Sequence, residues 1–303
     1  MMAGWLLLVE NAVVTAAHLI GDSSMSIAID VEGLSDIGKV REKNEDQFVI
    51  AELEKSMVIR RTTLEPDSQS QLLNAMTGHL FVVADGMGGH ADGEVASELA
   101  TVTVTRYVLG MLPWFHGVAG RREEDVTADL IRALKTCESV VQIAADEQTQ
   151  ARRMGTTLTI AYLNFPDVFV VNVGDSRCYV FRGSELNQIT VDQTAAQQLH
   201  EQGVLEAEEV ANSVASSILL QSIGGADHGV QPDAYVVKVE PADTVLLCTD
   251  GLSDYVPHET IAEILGTDDP AEAKCSNLVT AGNDAGGFDN ITAIVARVLE
   301  MGT

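Results

Sequence analysis

The pattern of apolar and polar residues predicts strands and helices in separate groups along the chain. Apolar or alternating runs rich in β-branched residues predict strands at 26–34, 47–53, 79–84, 156–163, 168–173, 177–181, 235–239, 244–248 and 291–298. Helical spacing predicts helices at 94–111, 123–147, 258–265 and 270–281, with shorter polar helical pieces at 194–213. Residues 54–78 are polar and carry Pro66-Asp67-Ser68, which favours a loop.

This grouping favours one fold class. Strands and helices that do not alternate one for one are typical of an α+β fold, with antiparallel sheet and helices packed outside it, rather than of a doubly wound parallel sheet. The short connections between the strands of 156–181 predict an antiparallel meander. We expect the inward faces of the two long helices to carry Val95, Leu99, Val102 and Tyr107 in the first and Val126, Leu130, Leu134 and Val141 in the second.

The charge balance excludes one class of partner. The chain has 45 Asp and Glu against 18 Lys and Arg, a formal charge of −27, so it lacks the basic surface that binds nucleic acid. Two interpretations of the excess acid remain: a solvated acidic surface, or carboxylates gathered to hold cations. The positions of the acidic residues have to decide between them.

The cysteines and the N-terminus bear on location. Four cysteines, with neither C-x-x-C nor zinc-finger spacing, predict small buried residues in a reducing, cytoplasmic compartment. The apolar residues of 1–25 are broken by Glu10 and Asn11 and lack a basic start, so we expect neither a secretory signal nor a membrane span there. We treat 1–25 as an extension of unknown role and 26–303 as a single domain, acting as a monomer.

Several acidic residues stand at the ends of predicted strands. They are Asp85, Asp175 and Asp250 after apolar runs, and Glu45, Asp46 and Asp289 just before strands. A strand end is held rigidly at the rim of a sheet, and clustered carboxylates repel one another unless a cation lies between them. Carboxylates, carbonyls and water are the ligands that Mg²⁺ and Mn²⁺ prefer. The other interpretation is that each Asp-Gly pair is simply a turn.

Arg41 precedes Glu45 by four residues in a chain with few basic residues. A guanidinium can bind phosphate through two parallel hydrogen bonds. The alternative is an ordinary surface pair with Glu45, which would contribute little to stability.

Six motifs together resemble the metal-dependent protein serine/threonine phosphatases, the PPM or type 2C phosphatases, in their bacterial form. In chain order they are SDIGKVREKNEDQF at 35–48, VVADGMGGHADGEVAS at 82–97, MGTTL at 154–158, GDSRCY at 174–179, CTDGLSD at 248–254 and GFDNIT at 287–292. The resemblance covers the chain from about 30 to 299. It implies a four-layer α-β-β-α sandwich, with two antiparallel sheets flanked by helices.

The resemblance also implies a centre of two Mg²⁺ or Mn²⁺ ions between the sheets. Carried over by motif, Asp85 would bridge both ions and Gly86 would lend its carbonyl to one of them. Asp250 and Asp289 would bind the other ion. Bacterial members often hold a third, weaker ion, and Asp175 with Asp250 is the matching pair here.

The implied reaction is hydrolysis of phosphoserine and phosphothreonine by a hydroxide that bridges the two ions. Arg41 would hold the substrate phosphate, while Glu45 and Asp46 would act largely through water. The implied partners are phosphorylated proteins and a Ser/Thr kinase that the enzyme opposes. No phospho-enzyme is needed, so no nucleophilic cysteine is expected.

This chain departs from the family pattern in places. Met87 stands where some members carry a histidine proposed as general acid, and His90 nearby has no assigned role. Asp192-Gln193-Thr194 replaces the commoner Asp-His-Ser at the entrance to the flap, about 194–222, which bears on substrate recognition.

Three other functions stay open at this point. An inactive phosphatase-like module that binds or senses a partner would require the loss of metal ligands. A phosphatase for a small molecule would differ only in its flap. A dinucleotide site at Gly86-x-Gly88-x-x-Ala91 would need alternating βαβ units, which the order of elements does not predict.

Overall fold

The computed structural model describes residues 27–54, 77–87, 91–111, 123–147, 154–225 and 229–299. Strands within these ranges are β1 (Ile29–Asp36), β2 (Asp46–Glu54), β3 (Thr77–Met87), β4 (Gly155–Thr156), β5 (Leu158–Asn164), β6 (Asp167–Val173), β7 (Arg177–Arg182), β8 (Glu185–Gln188), β9 (Asp233–Lys238), β10 (Thr244–Cys248) and β11 (Ile291–Val298). The predicted extension at 1–25 lies outside the described residues.

Helices follow the predicted groups. They are α1 (Ala91–Met111), α2 (Glu123–Glu147), α3 (Ala195–Glu201), α4 (Ala207–Val210), α5 (Asp250–Ser253), α6 (His258–Leu265) and α7 (Ala271–Asp284), with a 3₁₀ turn at Val214–Ser217. No helix in the described part of the chain is long and apolar enough to cross a bilayer.

The strands form two antiparallel sheets. The first sheet has the order β1-β11-β10-β7-β8, and the second has the order β2-β3-β5-β6-β9 with β4 paired to β3. Each ladder joins antiparallel neighbours, for example β10 with β11 and β5 with β6. Both sheets therefore combine strands from distant parts of the sequence.

Three apolar clusters divide the molecule into four layers. The middle cluster lies between the sheets and joins Phe81 and Val83 of one sheet to Val245 and Ile294 of the other. A second cluster packs α1 and α2 on the outside of the second sheet. A third packs α6 and α7 on the outside of the first. The predicted α-β-β-α sandwich is confirmed.

Strand β7 does not lie in the sheet predicted for it. The meander over 156–181 is wrong in its last member, because β7 leaves β6 and pairs with β10 and β8 in the first sheet. The crossing occurs at Gly174, whose φ of 105° is open to glycine and strained for other residues. Period-two patterns identify a buried strand but not the sheet that receives it.

Other predictions need smaller corrections. Val102 is 39% exposed and does not face the core; the buried positions of α1 include Ala96, Ala100, Val104 and Val108. The ends of the predicted loop at 54–78 belong to β2 and β3, and residues 55–76 lie outside the described part. Asp85 lies inside β3 rather than after it, since β3 continues to Met87. The short elements β8 and α5 carried no clear pattern.

The predicted inward face of α2 is confirmed, because Val126, Leu130, Leu134 and Val141 are all buried. The four cysteines are also free and buried, as expected.

Candidate metal centre

A cavity of about 740 Å³ opens at one edge of the two sheets. Its lining includes seven predicted site residues, namely Arg41, Glu45, Asp85, Gly86, Asp175, Asp250 and Asp289. The eighth, Asp46, is buried behind them at 5% exposure. The fold therefore brings together residues that are up to 248 positions apart in sequence.

Asp46 and Asp85 are direct cross-strand partners in the β2–β3 ladder. Asp46 Oδ2 accepts hydrogen bonds from the hydroxyls of Thr249 at 2.9 Å and Thr292 at 2.6 Å. Both threonines belong to the first sheet or its edge, so these bonds tie the two sheets together at the site. The other oxygen, Asp46 Oδ1, is buried and has no hydrogen-bond partner.

The backbone of Asp85 is fixed from the neighbouring strands. Its N–H donates to the hydroxyl of Thr157 at 3.0 Å, and its carbonyl accepts from the Thr157 N–H at 2.9 Å and the Thr156 hydroxyl at 2.9 Å. The main chain is thus held, and the carboxyl is directed into the cavity toward Asp250.

The carboxyl groups of Asp85 and Asp250 face each other within hydrogen-bonding reach. Burial, followed by the negative charges of Asp250, Asp46 and Asp175, raises the pKa of Asp85 well above its ordinary value. Asp250 Oδ1 is buried without a hydrogen-bond partner. The raised pKa favours the neutral form of Asp85, which relieves its repulsion with Asp250 when no cation lies between them.

Glycine is required at position 86 by the closeness of three backbone segments. A Cβ there would lie 2.7 Å from the Glu45 carbonyl and would overlap the backbone of Gly93. The Gly86 N–H donates to the Glu45 carbonyl at 3.2 Å. Gly93 in turn leaves room for the Glu45 side chain, since its own Cβ would come within 2.6 Å of Glu45 Oε2.

Arg41 and Asp289 form an ion pair at the mouth of the cavity. Arg41 Nη2 lies 2.6 Å from Asp289 Oδ2, with the Arg41 side chain 52% exposed. Asn290 supports this edge: its N–H donates to Asp289 Oδ1 at 2.8 Å, and its side chain accepts from the Glu45 N–H at 2.8 Å. The alternative pairing of Arg41 with Glu45 is not the one observed.

Asp175 lies on the far side of the cavity and is 9% exposed. Burial, then the charges of Asp250, Asp192 and Asp254, raises the pKa of Asp175 well above its ordinary value. It also lines a second cavity of about 480 Å³, which extends between the first sheet and α3–α4.

The donor set fits hard divalent cations. Burial raises the pKa of Asp46 to about 7 and that of Asp250 to about 6, and the charges of neighbouring carboxylates add to both effects. Buried oxygens without partners beside mutually repelling acids are what Mg²⁺ or Mn²⁺ would satisfy. Among the described residues, however, no three Asp, Glu, His or Cys side chains are already positioned to hold one metal ion. The carboxylates would therefore have to rotate when a cation binds.

Sequence reasoning missed the residues that support the acids. Thr157, Thr249, Thr292 and Asn290 hold the carboxylates or their backbone through hydrogen bonds. All four lie inside the quoted motifs, so the signal was present but the chemical role of each hydroxyl or amide was not visible. Gln193, noted only as a departure, accepts from the Gly174 N–H at 2.9 Å and so fixes the crossing of β6 into β7.

A buried cluster of carboxylates and a half-exposed arginine at the mouth of a two-sheet sandwich are typical of a metal-dependent phosphohydrolase. The family model for "Protein phosphatase 2C" matches residues 59–275. The serine/threonine phosphatase stp of Listeria monocytogenes is 33% identical over 218 residues, covering 72% of this chain and 84% of that protein. PstP of Mycobacterium tuberculosis is 35% identical over 221 residues, covering 73% of this chain and 40% of the longer relative.

Solved structures agree with these sequence matches. The catalytic domain of PstP in complex with two manganese ions has a TM-score of 0.69 and 30% identity, and it covers 91% of this chain and 100% of its own. Stp1 of Staphylococcus aureus has a TM-score of 0.74 and 26% identity, covering 92% of this chain and 98% of its own.

The chain belongs to the protein phosphatase 2C family. It is a metal-dependent protein serine/threonine phosphatase of the bacterial PPM type, and the inactive-module alternative has no support.

Proposed function

We propose that the acids at the cavity form a binuclear centre whose members have unequal roles. Asp85 would be shared by both ions, because it lies within electrostatic reach of Asp250, Asp46 and Asp175. Gly86 would contribute its carbonyl, since its missing side chain lets the backbone approach. Asp250 and Asp289 would hold the second ion, and Glu45 and Asp46 would contribute through water.

Bound ions would supply Lewis acidity and lower the pKa of a water, which provides the attacking hydroxide at neutral pH. The chain itself does the positioning. Thr249 and Thr292 keep Asp46 oriented, and Asn290 holds the edge that carries Asp289. Because the cluster loses protons when cations bind, metal affinity should rise with pH.

Arg41 is the proposed phosphate-binding group. Its side chain is half-exposed at the mouth of the cavity and is held by one carboxylate oxygen of Asp289. A dianionic phosphate offers two oxygens for the same guanidinium and carries more charge, so it would compete with Asp289 for Arg41. Met87 lines the cavity without an ionisable group, which leaves leaving-group protonation to water.

Two finer points extend this assignment. A third, weaker ion would use Asp175 with Asp250, which is supported by the charge of Asp250 acting on Asp175. Mg²⁺ and Mn²⁺ are both compatible with an all-oxygen donor set, and we propose that either ion supports the reaction.

The proposed partners are phosphorylated proteins and a Ser/Thr kinase whose products the enzyme removes. The four free cysteines support action in a reducing, cytoplasmic compartment. We propose that residues 26–303 act as one catalytic domain and as a monomer, with the helical segment from about 194 to 222 as the flap beside the substrate.

Asp85→Asn tests the assignment through metal binding. Calorimetric titration with Mn²⁺ should give two tight sites in the wild type. A bridging ligand touches both ions, so the variant should weaken them together by at least ~10²-fold, more than the ~10–100-fold typical of an outer-shell partner. Loss of one site with the other unchanged would contradict the bridging role. Asp284→Asn, an exposed acid on α7, is the matched control.

A further inference from the structure

Two aromatic side chains form an exposed pair at the rim of the metal cavity. Tyr255 is 40% exposed and Phe288 is 51% exposed. Their ring centroids are 5.3 Å apart, with the ring planes inclined at 42°. Large apolar side chains that are exposed together beside a site mark a contact surface more often than isolated ones do.

The pair is held in place by the backbone around it. Gly286 has no side chain, and a Cβ there would overlap the Phe288 ring, so the ring lies directly over this glycine. The Gly287 carbonyl accepts from the N–H groups of Lys39 at 2.7 Å and Val40 at 3.2 Å. The aromatic surface and the loop that carries Arg41 are therefore connected.

The pair lies within reach of the residue next to a bound phosphoresidue. Tyr255 lines the same cavity as Arg41, Asp85 and Asp250. Each residue of an extended chain advances at most ~3.5 Å, so the residues on either side of a phosphoresidue bound in the cavity would lie close to the rim. Ile218, which is 53% exposed, lines the cavity from the flap segment.

We propose that the surface formed by Tyr255 and Phe288 binds an apolar side chain directly before or after the phosphorylated residue of a protein substrate. This inference rests on the proposed role of the cavity in catalysis. We expect an apolar occupant because the exposed groups are the two aromatic rings, and the aliphatic side chain of Ile218 lines the same cavity. An acidic neighbour is disfavoured, since Asp254 and Asp289, each next in sequence to one of the two rings, both line the cavity.

Phosphothreonine peptides that differ only at the two flanking positions test the proposal. Leu, Gly, Lys and Asp would be compared there by kcat/KM with Mn²⁺. The wild type should prefer Leu over Gly by about tenfold, the order expected when one apolar side chain enters a contact. Tyr255→Ser and Phe288→Leu should reduce this ratio, the first more strongly. Tyr255→Phe should keep it, because the ring and not the hydroxyl makes the contact.

Leu109→Ser is the matched control, since Leu109 is 72% exposed on α1 and does not line the cavity. It should leave the Leu-to-Gly ratio unchanged. Equal rates for Leu and Gly peptides in the wild type, or a preference for Lys over Leu, would overturn the proposal. The ratio is independent of the metal assignment, because failure of that assignment would appear as unchanged Mn²⁺ binding in Asp85→Asn.

Discussion

At the scale of single residues, Arg41 has two competing anionic partners. In this structure its guanidinium is paired with Asp289, and in the proposed complex it binds phosphate. The carboxylate therefore keeps the side chain at the mouth of the cavity before substrate arrives. Removal of Arg41 would weaken substrate binding directly, whereas Asp289 would lose only its ion-pair partner.

Arg41→Ala should raise KM for a phosphothreonine peptide by about 10–100-fold, as expected for loss of a charge-assisted hydrogen-bonded pair. Steady-state kinetics and Mn²⁺ titration on the same preparation measure the two effects. Lys39→Ala, a more exposed cation on the same loop, is the control and should change neither. If Mn²⁺ affinity fell more than substrate affinity, the main role of Arg41 would be to position Asp289 and not to bind phosphate.

At the scale of elements, Lys274 joins two helices on the outside of the first sheet. It is 1% exposed in α7, and its Nζ donates to the carbonyl of Leu265, the last residue of α6, at 2.5 Å and to that of Thr267, just beyond it, at 2.6 Å. A buried cation here satisfies carbonyls that the helix end leaves without partners.

Lys274→Met should lower the free energy of unfolding by about 3 kcal/mol, because buried carbonyls would lose a charged donor. Thermal unfolding measures this loss. Lys238→Met is the control, because its side chain is 72% exposed and lies 3.9 Å from Asp167. Equal effects of the two substitutions would show that the α6 end does not depend on Lys274.

Elements were more predictable from sequence than their arrangement. Long helices such as α2 and buried strands such as β5 have strong local periodicity, so both were found. The sheet to which β7 belongs could not be predicted, because it depends on pairing with strands such as β10, far along the chain. The candidate acids were predicted from their places at strand ends and from motif order, and the fold brings them to one cavity. Thr249 and Thr292 reach Asp46 across 203 and 246 positions, which no local pattern encodes.

At the scale of the whole molecule, the acid cluster makes stability depend on metal and pH together. The folded-state pKa of Asp46 is raised by burial to about 7 and that of Asp250 to about 6, from an ordinary 3.8. A raised folded pKa favours the protonated folded state, so its stabilising effect is complete at low pH and is lost as pH rises through 6 to 7. Cations replace those protons when they bind.

The melting temperature of EDTA-treated protein should therefore fall between pH 5 and pH 8, and added Mn²⁺ should raise it more at pH 8 than at pH 5. Asp46→Asn should flatten the fall, because the amide does not titrate. Differential scanning calorimetry provides the comparison. A metal-free melting temperature that climbs over this range would mean that these carboxyls are ionised in the folded apo-protein.

Hydrolysis of a phosphothreonine peptide, with Mn²⁺ or with EDTA, tests the central claim most directly. Wild-type protein should release phosphate from the peptide and from p-nitrophenyl phosphate only when Mn²⁺ is present. The activity of Asp85→Asn should be at least ~10²-fold lower than that of the wild type, since both proposed ions depend on this carboxylate. Turnover that persists in EDTA, or full activity in Asp85→Asn, would contradict a metal centre built on Asp85.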